Sequence, residues 1–367
     1  MKLYFLSTER GWHGGEEQLR LLIEAARAAG HECRIAARAG GAFATRMQEA
    51  GFTVDRLAGN VRGPRSAWRV RRAVRWFRPQ TLHANDPHAL SLMNLAAWGL
   101  PRAARGGPLR IAARRVLFPI RSTGKYAACD RVICVSHAIA QVCRDSGLPD
   151  HLLAVVHDGV DPARMAAGDA ARGRAALGLA ADVPLVLCVA QLAAYKGHRY
   201  LLDAWPAVRT AHPAAVLALA GDGPLRAELQ QQAAALGVGD SVRLLGYRND
   251  VPDLVQACDL FALASPEEGL GTSVLDAMFA QRAVVGANAG GIPEMLADDA
   301  GGQCGWLATP RDAAALTQAI TAALSDAGER QRRAELGFIR AGAEFTAAVM
   351  ASRTLRLYDQ LLATQTT

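Results

Sequence analysis

The chain has 367 residues, 51% of them hydrophobic, with seven cysteines and a net charge of +7. That length exceeds one ordinary core and predicts two domains, while no apolar run reaches the roughly 18–20 residues that a membrane span needs. The start, Met1-Lys2-Leu3-Tyr4-Phe5-Leu6-Ser7, reads as a short strand rather than a signal peptide, and the cysteines form no CxxC pair; reduced, buried thiols in a cytoplasmic protein are expected.

Strand-like and helix-like segments then alternate. Residues 3–7, 32–37, 53–57 and 81–84 read as strands, with helices over 16–29, 42–50 and 66–77 between them. A long helical, basic stretch follows. Strand 131–135 comes next, then a helix from His137 toward Cys143 capped by Ser136, and strand 153–157. After an alanine-rich helical connector over 162–179 the pattern restarts with strands 184–189, 215–220, 241–244, 260–264 and 283–286. Helices are expected over 200–210, 225–236, 251–257, after residue 270, over 313–327 and between 329 and 362. Alternation of this kind predicts an α/β protein of two Rossmann-like, doubly wound parallel sheets, with ligands beyond the strand C-termini in an interdomain cleft. The domains are expected at 1–165 and 166–344, with a final helix over 345–362 packing back on the first.

The charge is unevenly placed. From Arg62 to Lys125 there are thirteen arginines and one lysine against a single acid, Asp86. Such a field steers toward anionic lipid, a phosphate-bearing acceptor or nucleic acid. The segment Trp68-Arg69-Val70-Arg71-Arg72-Ala73-Val74-Arg75-Trp76-Phe77-Arg78 fits an interfacial amphipathic face. It also fits an ordinary surface helix with Trp68, Arg72 and Arg75 lying over the core. No nucleic-acid-reading motif accompanies it, so Arg71, Arg72 and Arg75 are assigned to an acceptor or membrane surface.

The most informative stretch is Glu268-Gly269-Leu270-Gly271-Thr272-Ser273-Val274-Leu275-Asp276, between a buried strand and a helix. The first turn of that helix offers bare N–H groups and a positive dipole end to an anion. An acid in the loop would repel a phosphate and more naturally reads the hydroxyls beside it. A phosphate cradle flanked by two carboxylates suggests a nucleotide-sugar site.

The C-terminal half resembles the retaining family 4 glycosyltransferases of the GT-B fold. The motifs are Val189-Ala190-Gln191-Leu192 with Lys196-Gly197-His198, Ala220-Gly221-Asp222-Gly223-Pro224, Leu245-Gly246-Tyr247-Arg248, the Glu268–Asp276 stretch and Ala289-Gly290-Gly291-Ile292-Pro293-Glu294. The N-terminal half matches more loosely, through Gly14-Gly15-Glu16, Leu82-His83-Ala84-Asn85, Val132–Ser136 and His157-Asp158-Gly159-Val160-Asp161. The resemblance implies a retaining, metal-independent sugar transfer. Lys196 and the N–H groups of Leu270, Gly271 and Thr272 would hold the donor diphosphate, together with the Gly14-Gly15 turn, which by itself also fits a simple turn. Glu268 would read sugar hydroxyls. Asp276, where the family has glutamate, would hold the ribose, and the backbone at Arg248 the base.

Three departures stand out. Gln191 replaces the family's arginine, leaving Arg114, Arg115 and Arg121 as candidates for the missing cation. Asn85 replaces the second histidine of a His-x-His pair, so His83 or His88 compensates or the sugar differs; His83 and Asn85 are both held as catalytic candidates. Asp222 is explained by turn formation. Asp298-Asp299 lacks an Asp-x-Asp frame, and no metal or cofactor is expected. The implied function is transfer from a UDP- or GDP-linked rather than ADP- or TDP-linked sugar. The acceptor would be a saccharide or lipid-linked saccharide of lipopolysaccharide or other envelope glycan, at the inner face of the cytoplasmic membrane. The rivals are a sugar-nucleotide epimerase of the same fold, a non-catalytic nucleotide-sugar-binding partner subunit, and a nucleic-acid binder.

Overall fold

A computed structural model of the chain describes residues 1–297 and 303–364. The chain divides into two compact units, one of residues 1–159 and 347–367, the other of residues 160–346. The crossing falls at Gly159–Val160 rather than at the expected 165–166. Val160 already belongs to the second unit, where it bridges to Thr346 and its N–H donates to Phe345 O.

The first unit runs β1 (Lys2–Ser7), α1 (Gly14–Ala28), β2 (Glu32–Arg38), α2 (Ala42–Glu49), β3 (Thr53–Leu57), α3 (Pro64–Phe77), β4 (Thr81–Ala84), α4 (Pro87–Ala96), β5 (Leu109–Arg114), β6 (Arg131–Cys134), α5 (His137–Asp145) and β7 (Leu153–Val155). Its seven strands are parallel in the order β3-β2-β1-β4-β5-β6-β7. Strand β5 corrects the expectation of a continuous helical stretch after residue 84. All six of its residues are buried, but Arg110 and Arg114 interrupt the apolar run that would have announced it.

The second unit runs α6 (Pro162–Ala166), α7 (Ala170–Leu177), β8 (Leu185–Val189), α8 (His198–Ala211), β9 (Val216–Ala220), α9 (Arg226–Ala235), β10 (Val242–Gly246), α10 (Val251–Ala257), β11 (Leu260–Leu263), α11 (Thr272–Phe279), β12 (Ala283–Ala287), α12 (Ile292–Leu296), β13 (Trp306–Ala308), α13 (Ala313–Ser325) and α14 (Ala327–Glu344). Its six strands are parallel in the order β10-β9-β8-β11-β12-β13. The short α12 and β13 were not expected from the sequence. The last helix, α15 (Ala347–Ala363), belongs to the first unit, where Met350, Leu355, Tyr358 and Leu361 join the core of Phe5, Leu19 and Ile23. All seven cysteines are free thiols, six of them buried.

Candidate active site

Each sheet grows outward in both directions from two central strands, β1 and β4 in the first unit and β8 and β11 in the second. Loops leaving two such strands diverge and open a crevice, so ligands bind there in sheets of this kind. Asn85, Gln191, Lys196, Glu268, Leu270 and Gly271 fall on the connections that leave these strands.

In the second unit, Lys196 ends a short turn after β8 and Glu268 lies in the loop after β11. Their side chains meet with Lys196 Nζ 2.6 Å from Glu268 Oε2, and they are only 18% and 11% exposed. Tight chain packing enforces the meeting. Gly197 has φ +71°, and a Cβ there would lie 2.1 Å from the carbonyl oxygen of Ala264 at the end of β11. Gly290 has φ +58°, and its Cβ would lie 2.0 Å from Glu268 O, which also accepts from Gly291 N at 3.0 Å. Only glycine allows both approaches.

Helix α11 starts behind Glu268. Its N-cap, Gly271, has φ +96° and supplies no capping side chain. Among the described residues, the N–H groups of Leu270, Gly271, Thr272 and Ser273 have no acceptor, so the positive end of the helix stands open for an anion. Asp276 lies one turn further in and is buried; its Oδ2 receives Arg164 Nη1 at 3.3 Å. Arg164 sits on α6, whose N-cap Asp161 accepts from Ala163 N at 3.0 Å. Nothing in the local sequence tells that this helix meets α11, so the sequence does not single out Arg164. Arg248 is paired in two bonds with Asp250, whose carboxyl it holds below the usual range. Its side chain is therefore committed, leaving the backbone there for any ligand. Gln191 accepts from Tyr195 OH at 3.1 Å, and Asp222 closes its own turn by accepting from Gly223 N at 2.8 Å.

In the first unit, Gly14 and Gly15 are the opening residues of α1 rather than a loop ahead of it, with no side-chain cap. Packing does not demand glycine here. A Cβ on Gly14 would meet nothing within 4 Å, and one on Gly15 would touch Asn85 Nδ2 at an ordinary 3.7 Å. Asn85 Nδ2 donates to Gly15 O at 3.1 Å while its Oδ1 accepts from Arg115 Nη1 at 2.7 Å. Arg115 Nε in turn reaches Asp158 Oδ1 at 3.2 Å. Burial raises the Asp158 carboxyl pKa against the opposing Arg115 charge. Four segments distant in sequence thus build one polar network.

Several expected residues stand elsewhere. His83 has almost no exposed surface. It is buried under α15, with Nδ1 2.5 Å from Tyr358 OH, and burial, helped by the Arg115 charge, lowers its pKa to about 3. A strand alternates its faces, and His83 falls on the face that α15 covers. Arg114 is buried and donates to Phe118 O, so it is spent inside its own loop. Arg71 is likewise structural, donating to Ala96 O at 3.1 Å and to Trp98 O. Arg72, Arg75, His88 and Arg121 are exposed. Trp68, Arg72 and Arg75 do not lie over the core, because Ser66, Ala67, Val70, Ala73 and Val74 form the buried side of α3. Asp298-Asp299 lies outside the described residues.

Known proteins share both the sequence pattern and the architecture. Residues 12–164 match the model of Glycosyltransferase Family 4 and residues 169–338 that of Glycosyl transferases group 1. An uncharacterised glycosyltransferase of Methanocaldococcus jannaschii is 29% identical over 255 residues, 68% of this chain and 64% of that protein. The lipopolysaccharide core biosynthesis glycosyltransferase LpsE of Rhizobium meliloti is 28% identical over 270 residues, 72% of this chain and 74% of the relative. The match thus spans less than two thirds of the archaeal relative's length. Among solved structures, Anabaena HepE in complex with UDP and glucose superposes with a TM-score of 0.82 at 23% identity, covering 98% of this chain and all of that one. At that identity the likeness speaks for the fold.

Proposed function

The chain belongs to the group 1 glycosyl transferases of family 4 type, with the GT-B fold, and from that premise we propose that it moves a sugar, with retention of configuration, from a nucleotide-sugar donor to a saccharide or lipid-linked saccharide. The observation that carries this reading is the Lys196–Glu268 pair, 2.6 Å apart, beside the open N-terminus of α11. A cation for a diphosphate and a carboxylate for sugar hydroxyls are side by side, as a sugar diphosphate requires.

In the proposed reaction the bond from the anomeric carbon to the leaving phosphate oxygen breaks as the acceptor oxygen attacks the same face. The acceptor proton passes to that phosphate oxygen. Lys196 and the N–H groups of Leu270, Gly271 and Thr272 stabilise the negative charge left on the nucleoside diphosphate. Glu268 orients the sugar hydroxyls, Asp276 exchanges Arg164 for the ribose, and the backbone near Arg248 meets the base. Fixed cations and the helix end take the place of a metal. The first unit takes the acceptor.

A UDP-linked donor is favoured by the UDP in the Anabaena neighbour. An acceptor of the lipopolysaccharide or envelope-glycan class, used at the inner face of the cytoplasmic membrane, is favoured by the Rhizobium relative.

The test is thermal denaturation against UDP- and GDP-sugars, since a ligand that binds only the folded protein raises Tm. One donor series is expected to raise Tm with EDTA present, and Lys196→Ala or Glu268→Ala to lose the rise. Transfer should fall roughly 10²–10³-fold in either variant. A rise that survives both substitutions, or none with any nucleotide sugar, overturns the reading.

A further inference from the structure

We propose that the exposed side of α3, together with Trp98, is a docking face for an anionic phospholipid surface. The proposal deepens the membrane-side placement above by naming the surface, and it stands on residues remote in sequence from Lys196 and Glu268.

Helix α3 buries only small and β-branched residues. At about 100° per residue, its exposed Arg65, Trp68, Arg69, Arg72, Arg75 and Trp76 share an arc of about 120° on the opposite side. Trp68 is 61% exposed, Trp76 74% and Trp98 79%. Tryptophan normally buries most of its surface, and three rings left in water among arginines are the pattern of residues seated at a lipid headgroup boundary. Trp98 is not a stray residue of a loose loop. Arg71 reaches back from α3 to the carbonyls of Ala96 and Trp98 and fixes that turn beside the helix.

The arginines are available to phosphate. A groove of about 600 Å³ along one flank of α3 is lined by Arg34, Asp55, Arg56, Arg69, Arg72 and Trp76. Only Arg34 is neutralised there, by Asp55. Arg56 reaches Gln48, Arg69 the carbonyl of Arg56, and Arg72 the ring of Trp68, all neutral partners. A second groove of about 610 Å³ lies between Leu57 and Trp68 and includes Arg65 and Arg69. No carboxylate of the surrounding segment competes. The one acid between Arg62 and Lys125, Asp86, is buried and bonded to Thr8, His88 and Ala89.

Lipid fits this face better than nucleic acid. Trp68 and Trp76 each carry a guanidinium over the ring, at 5.2 and 5.1 Å, so one face of each is already occupied and less of the ring is open to base stacking. A ring so covered still inserts by its edge among lipid headgroups.

The test is flotation of the full chain with vesicles of phosphatidylcholine alone or with added phosphatidylglycerol. Binding is expected only to the anionic vesicles and should weaken as salt is added. Trp68→Ala with Trp76→Ala, and Arg69→Glu with Arg72→Glu, should each weaken it by at least about tenfold, with Tm unchanged. Quenching of wild-type tryptophan emission by brominated lipid supplies a readout that needs no variant. Equal binding to both vesicle types, none to either, unaltered binding by both double variants, no quenching, or preference for an RNA duplex overturns the proposal. Donor-induced Tm shifts measured on the same preparations report on the transferase reading separately.

Discussion

An ionisable side chain taken out of water must find a partner or give up its charge, and both solutions occur here. Lys196 and Glu268 pair, as do Arg115 and Asp158, and Arg34 and Asp55. His83 and His198 instead stay neutral. Burial first, then the charges of Arg115 and Lys196 respectively, lowers them from 6.5 to about 3 and about 4. The sign follows from proton uptake: below pH 6.5 the unfolded chain binds protons that the folded chain refuses. Their stabilisation is therefore complete above about pH 6.5 and is lost as pH falls toward 4, at up to roughly 1.4 kcal/mol per pH unit for each histidine. Tm followed from pH 8 to about pH 4 should decline accordingly, and His83→Phe should flatten the slope while leaving the donor-induced shift intact. A His83 variant that keeps the full slope but loses donor binding would return His83 to the site. Asn85, only two residues on, meets Arg115 instead, and nothing in the local sequence separates these two fates.

At the scale of elements, loops at the two switch points do the positioning, and glycines govern how closely they pass. Gly290→Ala places a β-carbon against Glu268 O in a left-handed backbone. It is expected to destabilise the protein by roughly 1–3 kcal/mol and to weaken donor binding by moving Glu268, seen together as lower Tm and a smaller donor shift. Unchanged donor binding would mean that the loop does not hold Glu268 in place. The apolar strands around these loops, such as Leu185–Val189 and Leu260–Leu263, were legible because burial on both faces leaves an unbroken hydrophobic run. Strand β5 was not. Its Arg110 is buried with Nη2 directed at the carbonyls of Ala97, Leu100 and Pro101, an arrangement that only the folded turn creates. Asp276 was legible as a carboxylate near a helix start, whereas its pairing with Arg164 across 112 residues was not.

At the scale of the molecule, the chain leaves its first unit at residue 159 and returns to it with α15. That helix covers β-sheet core through Met350, Leu355, Tyr358 and Leu361. Burying a large apolar side chain contributes roughly 1.5–3 kcal/mol, so losing four approaches the whole stability of about 5–15 kcal/mol of an ordinary domain. A chain ended after Phe345 is expected to have a protease-sensitive first unit, with cleavage between residues 1 and 159. A truncated chain as resistant as the full one would show α15 to be dispensable. The sequence alone determined the alternation of strands and helices, the two-sheet plan, the glycine-bearing turns and the chemical types gathered near residues 196 and 268, because local propensity and hydrophobic period are properties of neighbouring residues. Tertiary structure alone decided that Lys196 meets Glu268, that Arg164 holds Asp276, that Arg115 joins Asn85 to Asp158, and that His83 is sealed beneath α15. Those outcomes depend on the order of strands in each sheet and on which face a helix covers, and contacts between distant segments leave no periodic trace in the chain.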